Sequence, residues 1–70
     1  MLLIVYYINF HRIGDAKKLL SDPENKEMTI LEVLYAVGFN SKSVFNTAFK
    51  KFVKMSPTEF RRKQMGIFAA

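Results

Sequence analysis

Seventy residues without a cysteine allow one domain at most and exclude a disulfide framework or a thiolate metal site. Half of the residues are hydrophobic and 14% are aromatic, which excludes a disordered tail. The net charge of +5 is uneven: residues 40–70 hold seven Lys and Arg against Glu59 alone, while residues 1–39 are close to neutral, so a polyanion bound on one side and a merely solvated surface both fit.

Met1 to Ile8 is apolar throughout. It is far shorter than the roughly 20 residues that span a bilayer. It also lacks the basic lead and small-residue cleavage site of a signal peptide. It reads as the start of a buried helix running over about Leu3–Leu20, with Ile8, Ile13, Ala16, Leu19 and Leu20 on one face. Gly14 lies mid-helix and should cost about 1 kcal/mol relative to alanine. Ser21-Asp22-Pro23 ends the helix, because proline disfavours helical geometry in the residue before it. Asp22 to Glu27 is a polar connection.

The second helix is predicted to start at a capping box, Thr29 with Glu32, and to turn Ile30, Val33, Leu34 and Val37 inward. Gly38 stops it in a left-handed turn, with Phe39 packed beneath. Asn40 or Ser41 caps the third helix. That helix carries two stripes: Phe45, Ala48, Phe49 and Phe52 on one side, and Ser43, Asn46, Thr47, Lys50 and Lys54 on the other. The last helix opens at Ser56 with Pro57 at its first position and Glu59 three residues after the cap. Met55 and Phe60 are spaced as a hydrophobic staple. No stretch alternates with period two, so no sheet is expected and the fold class is all-α. Residues 1–64 form a single domain, divided into a long helix (1–21), a helix-turn-helix (29–53) and a closing helix (57–64). Residues 65–70 are expected to fray.

Several combinations of these residues are similar to the AraC/XylS family of bacterial transcription regulators. Tyr7-Ile8, Arg12-Ile13 and Ala16 to Leu20 resemble its linker helix. Ile30, Glu32-Val33 and Val37-Gly38-Phe39 resemble the first helix and turn of its second helix-turn-helix. Ser41 to Asn46 and Ala48 to Lys51 resemble its recognition helix, and Met55-Ser56-Pro57 with Phe60-Arg61 its closing helix. The likeness covers Tyr7 to Arg62, the C-terminal half of that family's DNA-binding domain. Three positions depart from it. Leu34 stands where alanine is usual at a tight helix crossing. Lys54 stands where glycine is usual, so strain is expected there. Thr47 stands where many members carry arginine toward the groove.

The resemblance implies sequence-influenced binding of double-stranded DNA. From spacing alone, the hydrophilic stripe also fits the wet side of a surface helix. The side chains suit base reading: Asn46 can pair with adenine, Lys42 can reach guanine or phosphate, Ser43 can serve either role, and the methyl of Thr47 can meet a thymine methyl. Ser41, Lys50, Lys51 and Arg61 are candidate phosphate contacts. The resemblance further implies a cytoplasmic protein that could touch RNA polymerase. The apolar start suggests a homodimer through the N-terminal helix. A rival reading is a truncated remnant that acts as a self-associating or protein-interaction helical bundle without DNA. His11 is the only histidine, so no metal site is expected. No acid, base and nucleophile can be grouped into a catalytic set, and neither an enzyme nor a cofactor is expected.

Overall fold

The computed structural model describes residues 2–66, with Leu2 described by its backbone alone. Four helices follow one another: α1 (Leu2–Ser21), α2 (Ile30–Ala36), α3 (Lys42–Val53) and α4 (Pro57–Gln64). Among the described residues there is no strand, and the fold is all-α. The long α1 is the spine. Its C-terminal half supplies Ile13, Ala16 and Leu20 to a core completed by Val33 and Leu34 of α2, Phe39, Phe45, Ala48 and Phe49 around and within α3, and Phe60 of α4.

Local chemistry sets each boundary. Thr29 and Glu32 form the expected capping box, the Glu32 N–H donating to Thr29 Oγ1 at 3.0 Å and the Thr29 N–H to Glu32 Oε1 at 2.8 Å. Ser56 and Glu59 repeat it at 3.2 Å in both directions. Of the two candidate caps before α3, the residue used is Ser41, whose Oγ accepts from the Val44 N–H at 3.3 Å. The α2 terminus is a full Schellman turn. The Phe39 N–H donates to Leu34 O at 2.8 Å and the Gly38 N–H to Tyr35 O at 3.2 Å, with Gly38 at φ 102°. The turn needs glycine for this backbone angle, while a Cβ there would meet only the movable end of the Arg12 side chain, 2.9 Å away at Nε. In the 22–27 connection, Pro23–Asn25 make a single 3-10 turn, capped by Asp22 and tied to α1 by Asn25 Nδ2 donating to Leu19 O at 3.2 Å.

Two expectations for α1 need correction. Ile8 is 40% exposed and does not join the core face, and Leu3 to Ile8 form a helix that is exposed rather than buried. The reason is reach: the core closes on the C-terminal part of α1, and toward the start of α1, helix α3 comes near through Phe52 and Lys51 at Tyr6. Leu34, one of the three positions that depart from the resemblance, is fully buried in the core. Of the tail expected to fray, Met65 and Gly66 close α4 with N–H bonds to Arg61 O and Lys63 O, and residues 67–70 lie outside the described residues. No helix of the described residues is long and apolar enough to cross a membrane.

Candidate nucleic-acid interface

α3 is amphipathic, and the core fixes which side faces out. Phe45 and Phe49 are 0% exposed, and Ala48 is buried beside them. A row of ring contacts holds them: Phe39 edge-on to Phe45 at 5.3 Å, Phe45 tilted against Phe49 at 5.6 Å and Phe49 edge-on to Phe60 at 5.6 Å between centroids. Phe52 is half-buried and covered from α1 by Tyr6 at 5.1 Å and Phe10 at 5.6 Å. With that side committed, Lys42, Ser43, Asn46, Thr47 and Lys50 all stand exposed. Twelve residues give a rod about 18 Å long, enough to lie along a groove about 12 Å wide.

The candidate residues divide into three groups. Lys42, Asn46 and Lys50 recur at helical spacing on one flank of the exposed face. Ser43, Thr47 and Lys51 look toward an open hollow of about 580 Å³ between α3 and the start of α1, facing Val5, Tyr6 and Asn9. Lys51 Nζ lies 5.1 Å from the centre of the Tyr6 ring, so this ammonium rests over an aromatic face that its place in the sequence did not reveal. Ser41 is half-buried and its hydroxyl is occupied as a cap.

Arg61 forms the third group, and here the expectation fails. Its guanidinium turns inward rather than toward solvent. Nη2 donates to the carbonyl oxygens of Asn25, at 3.3 Å, and Met28, and Nε is buried without a hydrogen-bond partner. The cause is geometric: the 22–29 connection ends beside α4, where Arg61 is within reach of the Met28 carbonyl and of the Asn25 carbonyl, which also accepts the Met28 N–H at 2.9 Å. Arg61 thus ties the connection to α4 across more than thirty residues of sequence.

One feature lay beyond sequence reasoning. Val44 is 52% exposed on the first turn of α3, beside Ser43 and Thr47. An apolar residue next to a core stripe reads as core, and only the packing shows it turned outward. Lys54 takes the left-handed conformation at φ 71°, its N–H donating to Lys50 O at 2.9 Å, in line with the strain expected where glycine is usual. Glu59, exposed at the start of α4, has its carboxyl held below its ordinary value of 4.5. The Ser56 backbone N–H is the main cause, with smaller contributions from the Ser56 side chain, Lys63 and Lys50.

A helix seated on its own aromatic core, capped by serine and backed by a glycine turn, is the arrangement of a helix-turn-helix. A family profile described as a helix-turn-helix domain matches residues 4–63, and the regulators matched over the same stretch are of the AraC type. The chain belongs to the AraC-type helix-turn-helix family. Among curated proteins it is 39% identical over 56 residues to the melibiose operon regulatory protein of Escherichia coli, covering 80% of this chain and 18% of that protein. It is 34% identical over 55 residues to the probable transcription factor PqrA of Proteus vulgaris, covering 79% of this chain and 43% of that protein. It is 36% identical over 56 residues to the uncharacterised regulator YdeC of Bacillus subtilis, covering 80% and 18%. The chain thus spans less than a fifth of the length of the melibiose regulator. No solved structure matches it at a significant level. The relatives it matches are named as regulators or a probable transcription factor, and what this chain shares with them is the helix-turn-helix domain.

Proposed function

We propose that the AraC-type unit binds double-stranded DNA with sequence preference by laying α3 in the major groove, in the cytoplasm. One observation carries the reading: the core locks Phe45 and Phe49 inward and leaves Ser43, Asn46, Thr47 and Lys50 in solvent. Asn46 pairs with adenine, Lys42 with guanine or a nearby phosphate, and Thr47 meets a thymine methyl, with Ser43 beside it. Lys50 and Lys51 clamp phosphates, and the first backbone N–H groups of α3 beyond Ser41 face the strand. Arg61 leaves the contact set, since its guanidinium serves the protein's own carbonyls. A contact with RNA polymerase belongs to the same reading, and Leu31 and Tyr35 stand exposed one turn apart on α2.

Few phosphates are within reach, so binding by one unit is weak, micromolar or poorer. Each neutralised phosphate contributes about −0.9 to the slope of log K against log salt. Titration of labelled duplex at two salt concentrations tests this. The expected result is salt-dependent binding, with a slope near that of two or three phosphates. Asn46→Ala should flatten preference among duplexes, whereas Lys50→Ala should weaken all duplexes alike. Absence of binding at low salt, or binding indifferent to salt, removes the proposal.

A further inference from the structure

Val44 is an apolar residue that neither packing nor helix propensity calls for. It stands third in α3 and is 52% exposed, so the core does not select it. A β-branched side chain also loses rotamer freedom in a helix, and alanine, lysine or glutamine at an exposed position would serve the helix better. Its backbone N–H is the one that Ser41 Oγ accepts, which fixes the turn that carries it. Each residue advances a helix by about 100°, so Val44, Thr47 and Lys51 fall within about 60° of arc, in a row along the flank beside Ser43. All three are exposed, whereas Ala48, next round the helix, is buried.

We propose that Val44 is a specificity-determining residue that reads the 5-methyl group of a thymine, on the base pair next to the one met by Thr47. The inference rests on the groove-binding reading above and names a contact which that reading does not contain. In a recognition helix the N-terminal residues are the ones that reach base edges. Of the groups that base pairs present in the major groove, the thymine methyl is the apolar one, so it alone gains from contact with hydrocarbon. Val44 and Thr47 are separated by about 4.5 Å along the α3 axis, and base pairs follow one another at about 3.4 Å. Two methyl-bearing side chains at that spacing suit two adjacent thymines.

The exposed face of α3 thus has two flanks of different chemistry. Lys42 and Asn46 form a hydrogen-bonding flank, and Val44 and Thr47 a methyl flank, so the helix can read polar base edges on one side and methyl groups on the other. A single valine set among Ser43, Thr47 and Lys51 is too small an apolar area to hold a protein partner, but one thymine methyl needs no more. Burying a methyl-sized group accounts for about a fourfold change in affinity.

The test uses the full chain and a duplex enriched from a random pool by its own binding. Each thymine is replaced in turn by deoxyuridine, which deletes the 5-methyl group and keeps every hydrogen-bonding group of the base pair. At two neighbouring thymines the replacement is expected to weaken binding about fourfold, and elsewhere to change it little. Val44→Ala withdraws the two γ-methyl groups and is a better helix former at a position outside the core, so the fold is kept. It should weaken binding to the thymine duplex about fourfold and abolish the uracil penalty at one of the two thymines. Thr47→Ser keeps the hydroxyl and should abolish the penalty at the other. A duplex in which no thymine is sensitive to loss of its methyl, or a penalty that persists in Val44→Ala at every sensitive thymine, overturns the Val44 contact. So does an equal loss of affinity for the thymine and uracil duplexes, which would mark a packing role. Each of these results leaves the groove reading in place if Asn46→Ala still flattens preference among duplexes. A chain that enriches no duplex removes the groove reading, and the thymine contact with it.

Discussion

At the scale of single residues, Lys54 and Arg61 do work that their types do not announce. A left-handed backbone angle places Cβ close to the following carbonyl oxygen, at a cost of about 1–2 kcal/mol for a residue with a side chain. Lys54→Gly removes that strain, partly offset by the greater freedom of glycine in the unfolded chain. A net gain of up to about 1 kcal/mol is expected, seen as a higher urea midpoint at unchanged slope. Arg61 is the reverse case. Arg61→Leu removes the guanidinium from the Met28 carbonyl and leaves the Asn25 carbonyl with the Met28 N–H alone, and a loss of about 1–3 kcal/mol is expected. Its effect on DNA is equally diagnostic. A phosphate anchor would lower the salt slope by about one on removal, whereas a tether should leave the slope of the folded fraction unchanged.

At the scale of elements, the starts of α2, α3 and α4 were legible because a cap is local chemistry: Thr29 with Glu32, Ser41, and Ser56-Pro57 with Glu59 each act within four residues. The two stripes of α3 were legible for a similar reason, since a sharp division of aromatic from hydrophilic positions leaves one sensible orientation. The first half of α1 was not. Residues 1–8 are apolar on every side, so their pattern contains no direction, and Ile8 was placed inward when the packing leaves it out. Lys51 over Tyr6 and Arg61 against Asn25 and Met28 join residues 33 or more apart, which no short-range pattern encodes. The capping boxes yield a prediction with a sign. Glu59 has its carboxyl lowered by the Ser56 N–H, so its stabilising effect is fully present above its unfolded value near 4.5 and is lost as pH falls through the lower folded value. Compared by urea melts, wild type should exceed Glu59→Gln at neutral pH, and the difference should close as pH drops below 4.5. Thr29→Ala should cost about 1 kcal/mol by removing the hydroxyl half of the α2 box.

At the scale of the whole molecule, the envelope is elongated, 45 × 21 × 18 Å. A domain this small buries only about 60% of the surface its unfolded chain exposes, so its stability margin is narrow. Anything that binds only the folded form should then move its melting point visibly. Duplex DNA at a hundred times its dissociation constant should add about 2.7 kcal/mol, and raising the salt should cancel the gain. A melting point indifferent to DNA at low salt would contradict the proposed groove binding.

The ring row from Phe39 through Phe45 and Phe49 to Phe60 has a mechanical consequence. Interlocked rings act as a key in a keyway: α3 can neither roll about its own axis nor slide along it without parting two aromatic contacts at once, Phe39 with Phe45 and Phe49 with Phe60. The angle at which Asn46 and Lys50 are aimed is therefore set from behind, by hydrocarbon. Trimming Phe45 to leucine should loosen that aim, and the blurring should show as lost discrimination between duplexes before any loss of overall grip.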